Sequence, residues 1–357
     1  MKTPALEDAS STRPAPGAGA SDDAPSSAAA EDAGEETGRR RGPLRRAVAA
    51  VHGFFTIELD PFVLGVFRIA LAAYLLLYYV MLAPSWLLYY GPDGISPHVG
   101  MGPRDYYLLH PIIWYVKSHA VMWLLYGAAI LSVFLLASGV LWRLAAVWLW
   151  YMNLTLLYGN PYVVNGEEQV LALLLLFSLF MPLGVALSVR VRRPRRPPET
   201  PPAKVRVWPL RALQIHLMLV YLLSLPDKFT TGPAWHDGTL VYYALMAVDY
   251  TRWPGIEVVS WANAALSRVL TYFSVAVEIV VPVFIWFRKL RLLCTLLAMS
   301  LHLGMGFLLE GVAMFNGAML VGMVLFLPSR CTREWLTARL ARLRGARSPA
   351  ASAADLL

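Results

Sequence analysis

Four ionisable side chains fall inside long apolar runs of this sequence: Arg68, His216, Glu278 and His302. Such groups are costly in hydrocarbon, so they are expected to pair with one another or to line a polar cavity. A helical rise of about 1.5 Å per residue, counted from the end of each run expected to face the cytoplasm, puts all four in one layer about 10–16 Å deep. Arg68 and Glu278 are therefore expected to pair across two helices. The histidines would be hydrogen-bonded between helices, or the set would form a proton path or cavity floor. A fifth group, Lys228, follows Pro226 at the end of an apolar run. An amine held away from water gives up its proton more readily and can serve as a general base. The plainer reading is a lysine that snorkels to lipid headgroups. Asp227, His236 and Asp237 stand close enough in sequence to pair with it, but their spacing matches no metal motif. Trp235 is expected as an interfacial anchor, and Thr239–Val248 is an apolar helix too short to span.

The elements that must hold these groups follow from composition. The 357 residues are 57% hydrophobic and 15% charged, with 12 Trp and 2 Cys. That excludes a disordered or ordinary water-soluble chain, and the two Cys exclude a disulfide framework. Eight apolar runs are candidate spans: Phe62–Ala83, Ala120–Leu141, Arg143–Tyr158, Val170–Val189, Trp208–Leu225, Leu266–Phe287, Leu292–Leu309 and Val312–Leu327. The third and eighth are short, so seven spans would also fit. Pro226 is expected to end the fifth. Runs of this length can cross a bilayer only as helices. The expected fold is an all-α polytopic helical bundle.

Charge orients the bundle. Residues 1–38 are acidic and rich in Ala, Ser, Pro and Gly, so they are expected to be disordered. Basic clusters follow at Arg39–Arg46, at Arg190–Arg206 and after Pro328. Each flanks an apolar run, which favours a topology signal and anionic-lipid contact over nucleic-acid binding. With eight spans and both termini in the cytoplasm, every basic cluster falls on one side. Tyr89, Tyr90, Tyr106, Tyr107, Trp114, Tyr115, Trp235, Trp253 and Trp261 crowd the other side as an interfacial belt. No cleavable signal sequence is visible, so the first run is expected to remain as an anchor. The expected organisation is a tail and basic collar at 1–50, a transmembrane domain at 51–328 and a basic tail at 329–357, in the bacterial cytoplasmic membrane. Internal repeats and phosphate-, nucleotide- or metalloprotease-type motifs are absent from the sequence.

Several stretches together carry a family resemblance. They are Phe67-Arg68-Ile69, YYGPDGISP at Tyr89–Pro97, NGEEQVLALLLLFSLFMPLG at Asn165–Gly184, and LQIHLMLVYLLSLPDKFTTGPAWHDG at Leu213–Gly238, with His302 downstream. Over roughly residues 55–328 the chain resembles the HTTM (horizontally transferred transmembrane domain) family, which includes the vitamin K-dependent gamma-carboxylase. The resemblance implies that Lys228 corresponds to a base that deprotonates a reduced quinone. It also implies a site open to the outer face, with Tyr221, Trp235, His236 and Asp237 around the ligand. Two departures from that carboxylase stand out. Asp227 precedes the lysine, and only residues 329–357 of this sequence follow the last expected span, so carboxylation of protein substrates is not expected. Two classes remain open: a membrane enzyme acting on or with a lipophilic, quinol-type molecule, and a non-enzymatic module that binds a lipid or a partner protein.

Overall fold

The computed structural model describes residues 43–95, 110–189, 205–256 and 264–339, apart from isolated positions within those ranges. The acidic tail, the Arg190–Lys204 block, Arg104, Tyr106, Tyr107, Trp261 and the segment from Leu340 onward lie outside the described residues. Residues 1–52 and 53–357 form two units. Of the first unit only Pro43–His52 is described; it is the larger part of helix α1 (Pro43–Phe55) and is exposed from Leu44 on.

The second unit is built of helices apart from one short strand pair. After a two-residue strand β1 (Glu58–Leu59) come α2 (Phe62–Leu82) and a short α3 (Trp86–Tyr90). Next are α4 (His119–Ser138), α5 (Trp142–Gly159) and α6 (Gly166–Ser178). Strand β2 (Val205–Arg206) pairs antiparallel with β1 ahead of α7 (Trp208–Thr230). Two short helices follow, α8 (Pro233–His236) and α9 (Leu240–Met246). The last three are α10 (Ala264–Phe284), α11 (Arg291–Leu308) and α12 (Ala313–Met323), which ends in a 3-10 turn to Phe326. Each of the eight apolar runs thus carries a helix. Five of these helical stretches are long and apolar enough to cross a membrane: Phe62–Tyr90, His119–Ser138, Trp208–Thr230, Ala264–Phe284 and Arg291–Leu308. Their outward faces carry exposed large apolar side chains, among them Leu124, Leu131, Leu223, Leu293 and Leu303. A water-soluble monomer rarely leaves such faces bare, whereas lipid covers them.

The sequential helices α4, α5 and α6 pack as neighbours, α2 lies against α4 and α12, and α7 packs on α6 and α10. One apolar core links them, with Trp86, Tyr79, Phe67, Leu71 and Leu149 fully enclosed. The start of α2 is tied to the far end of the unit. Arg333 grips both carboxylate oxygens of Asp60 at 2.6 Å and lies 4.8 Å over the Phe62 ring. Asp60 in turn accepts the Phe62 amide at 3.0 Å, satisfying one of the free N–H groups at the helix start.

Two expected boundaries moved, and both shape the polar interior. The fourth apolar run was expected to be helical through Val189, but α6 stops at Ser178. Pro182 and Gly184 disfavour continuation, and residues 179–189 form turns. In the other direction, Pro226 does not end α7, which runs on through Lys228 to Thr230. The Thr230 hydroxyl donates to the Pro226 carbonyl at 2.8 Å in that last turn.

Candidate functional site

Continuation of α7 past Pro226 puts Tyr221, Ser224 and Lys228 at i, i+3 and i+7, one stripe of a helix. Opposite it, α10 presents Ser267, Thr271, Ser274 and Glu278, at i, i+4, i+7 and i+11, all buried. The two polar stripes face each other. The Lys228 amine pairs directly with Oε2 of Glu278. The Ser224 hydroxyl donates to the same oxygen at 2.9 Å. The ammonium also sits 4.6 Å from the centre of the Trp235 ring, so an aromatic face and a carboxylate share it.

A second polar chain completes the wall. The hydroxyl of Tyr221 lies 2.6 Å from Nε2 of His302, and Nδ1 of His302 lies 2.7 Å from Oδ1 of Asn316. The Asn316 amide nitrogen donates to the Val312 carbonyl at 2.8 Å, which makes Oδ1 its accepting end. Nδ1 of His302 therefore carries the proton, and Nε2 accepts from the tyrosine. The histidine thus links α7 to α12.

Tyr221, Ser224, Lys228, Trp235, Glu278 and His302 line one cavity of about 390 Å³ whose remaining walls include Val220, Leu240, Tyr250, Leu301 and Phe315, with Asn316 behind His302. A smaller apolar cavity of about 150 Å³ shares Trp235, Leu240 and Leu301 with it and reaches Phe273, Ser300 and Gly304, which are exposed between α10 and α11. A third, of about 190 Å³, lies between Lys228, His236 and Tyr272. The roof is held by the chain itself. Glu310 donates its amide to the Tyr250 carbonyl at 2.7 Å, Arg252 donates to Leu308 at 3.1 Å, and the Trp253 indole donates to Phe307 at 2.8 Å. The start of α9 is pinned when the Val241 amide donates to the Thr271 hydroxyl at 3.1 Å.

Of the residues singled out from sequence, Lys228, Tyr221, Trp235, Glu278 and His302 come together here. The others do not. His236 is exposed, its Nε2 3.0 Å from the Phe229 carbonyl, and it borders the third cavity together with Lys228 and Trp235 but not the 390 Å³ one. Asp237 is a turn residue: the Thr239 amide and hydroxyl both donate to it, which holds its carboxyl below the usual carboxylate range. Lys228 therefore finds its partner in Glu278 rather than in His236 or Asp237 nearby in sequence. Among the described residues no group of His, Cys, Asp and Glu is arranged to hold a metal ion.

The expected Arg68–Glu278 pair does not form. Arg68 is fully buried, and its guanidinium donates to the carbonyls of Leu183 at 2.6 Å, Ala186 at 3.2 Å and Leu187 at 2.7 Å, and to the Ser188 hydroxyl at 2.8 Å. These carbonyls are free because α6 ended early, and a buried guanidinium satisfies them. His216 also leaves the expected layer. Five residues before Tyr221 it points elsewhere on α7, exposed, with Nδ1 2.8 Å from the Ala212 carbonyl and its ring against Phe177. Equal depth holds only if every helix starts at one plane, yet Lys228 in the last turn of α7 meets Glu278 in the interior of α10. Ser224, Tyr250 and Asn316 escaped sequence reasoning. Asn316 was the findable one, a buried amide in an otherwise apolar run.

The HTTM domain family matches residues 57–335 of the chain. Comparison with curated proteins and with solved structures gave no match. The matched segment begins just ahead of α2, ends past α12 and takes in every residue of the cavity, so the chain is a multi-pass membrane protein that belongs to the HTTM family.

Proposed function

We propose that the cavity beneath Trp235 holds a lipophilic small molecule with an acidic hydroxyl, of the reduced-quinone type, and that Lys228 accepts the hydroxyl proton. The observation that carries this reading is the direct Lys228–Glu278 contact in the wall of a largely apolar cavity. In this reading the Lys228 ammonium first hands a proton to Glu278, which leaves the pair neutral overall. With the proton on Glu278, the amine is free to take the substrate's O–H proton. The resulting ammonium then lies between the new oxyanion and Trp235, which stabilises both. Tyr221, oriented by His302, offers a second polar contact to the substrate head. The apolar cavity toward Ser300 and Gly304 gives an uncharged tail a path from the bilayer.

The membrane arrangement that goes with this reading has eight spans and both termini in the cytoplasm, in a bacterial cytoplasmic membrane. Residues 1–50 form the leading tail and collar, 51–328 the transmembrane domain and 329–357 the basic tail. Arg143, Arg211, Arg288, Lys289 and Arg291 would flank the inner ends of the helices, and Lys228 would sit on the outer half, consistent with the positive-inside rule. A second reading keeps the cavity and drops the chemistry. If Lys228 and Glu278 stay a fixed ion pair, the site is a binding module for a lipid and the amine is an anchor.

Purification in mild detergent, followed by mass spectrometry of co-purified lipids, tests the assignment. Wild-type protein should carry a quinone-class lipid enriched severalfold over its membrane abundance, and Lys228→Met should lose it while still folding. Absence of any enriched quinone from the wild type would overturn the reading. A retained non-quinone lipid would favour the binding module.

A further inference from the structure

A fourth cavity lies apart from the Lys228 site and shares no lining residue with it. It is about 470 Å³ in volume and lies where the α4–α5 turn meets the irregular segment after α6. Its wall includes Gly139, Trp142, Arg143, Pro182, Gly184 and Ser188. Two guanidiniums bracket it. Arg143 is exposed at the mouth, 4.9 Å over the Trp142 ring, and makes no hydrogen bond or ion pair among the described residues. Arg68 lies behind the wall, bonded to Ser188 and close against Gly139. Among the described residues no carboxylate contacts either one. Arg68 donates only to carbonyls and a hydroxyl, which leave its charge uncompensated. The edge of the Trp142 indole lies on the Gly184 backbone, where a Cβ would collide with it. That contact fixes the aromatic platform beside the mouth. Leu141 and Leu144 next to the opening are 60% and 67% exposed, a bare apolar surface beside a positive hollow.

We propose that this cavity binds the phosphate headgroup of an anionic phospholipid, with Arg143 on the phosphate and the acyl chains lying along Leu141 and Leu144. A guanidinium pairs with a phosphate through charge-assisted hydrogen bonds, and a fully enclosed positive charge behind the wall adds attraction that solvent does not screen. An interfacial tryptophan beside an exposed arginine places the opening at headgroup depth. Free phosphate offers the same head chemistry without the chains. The apolar lip of the cavity is what favours the lipid.

The test is native mass spectrometry of the full chain in detergent, titrated with dioleoyl phosphatidylglycerol, dioleoyl phosphatidylcholine or inorganic phosphate. Wild-type protein should take up one phosphatidylglycerol tightly and phosphatidylcholine at least about tenfold more weakly. Arg143→Gln should lower phosphatidylglycerol affinity by about tenfold. Arg288→Gln, which removes an exposed charge elsewhere on the chain, should change it less than twofold. Lipid-free melting temperatures of both variants should match the wild type, since neither side chain is buried. Equal phosphatidylglycerol affinity in Arg143→Gln and wild type overturns the site. An equal loss in Arg288→Gln also overturns it, because diffuse charge would then suffice. Displacement of the lipid by millimolar inorganic phosphate would show a free-anion site and overturn the lipid assignment.

Discussion

Lys228 and Glu278 stand fifty residues apart in the chain and meet side chain to side chain between α7 and α10, with Ser224 donating to the same carboxylate oxygen. Both side chains are nearly enclosed, 13% and 11% exposed. Removal of one partner strands the other charge in an apolar wall, at a cost of about 3 kcal/mol. Lys228→Met and Glu278→Gln should each lower the melting temperature in detergent clearly. The double substitution should recover most of the loss, and the charge-swapped pair Lys228→Glu with Glu278→Lys should restore expression. Additive losses in the double variant would mean that the two side chains are not coupled.

Arg68 holds four acceptors with one planar guanidinium. Lysine carries the charge but cannot reach four diverging oxygens, so Arg68→Lys should destabilise nearly as much as Arg68→Ala, by several kcal/mol. Thermal aggregation in detergent would reveal it. Protease sensitivity should rise first in residues 179–189, whose carbonyls lose their donors.

The start of α6 should respond to pH. Glu167 lies ahead of Val170, where the fourth span is expected to begin, and is 7% exposed. Burial, and then the neighbouring Glu168, push its carboxyl up from 4.5 to about 7. The folded protein therefore keeps a proton that the unfolded chain has already lost between those values. Stability should fall as pH rises from about 4.5 to about 7 and level off above. Glu167→Gln should flatten this slope and melt higher than wild type at pH 8. A variant with the wild-type pH profile would place the slope elsewhere.

Two glycines should behave in opposite ways. Gly139 has φ of +76°, and a Cβ there would strike Ser188 and Arg68. Gly139→Ala should cost more than about 1 kcal/mol, since strain and collision add. At Gly304, inside α11, a Cβ would meet nothing within 4 Å. Gly304→Ala should therefore be neutral or stabilising by about 0.5–1 kcal/mol, as expected for helix propensity. Paired melting curves would separate them.

Much of this protein was legible without coordinates. Apolar runs of about 20 residues admit only helices in a bilayer, so the all-α class and the place of the eight longest apolar helices followed from hydropathy, though not all of their ends. Polar residues inside those runs marked Tyr221's neighbourhood, Glu278 and His302, and the order of short motifs marked the HTTM family. Partner choice was not legible. Hydropathy is nearly blind to rotation about a helix axis and to sliding along it, and these two variables decide which polar groups touch. Glu278 turned to Lys228 because α7 continued through Pro226 and brought Tyr221, Ser224 and Lys228 onto one stripe facing α10. Arg68 turned away because α6 ended at Ser178 and left carbonyls that only a buried donor could satisfy. Sequence alone determined which groups had to find partners inside the membrane. The packing of staggered helices decided which partners they found, because a buried charge settles on the nearest acceptor in space, however far away it lies in sequence.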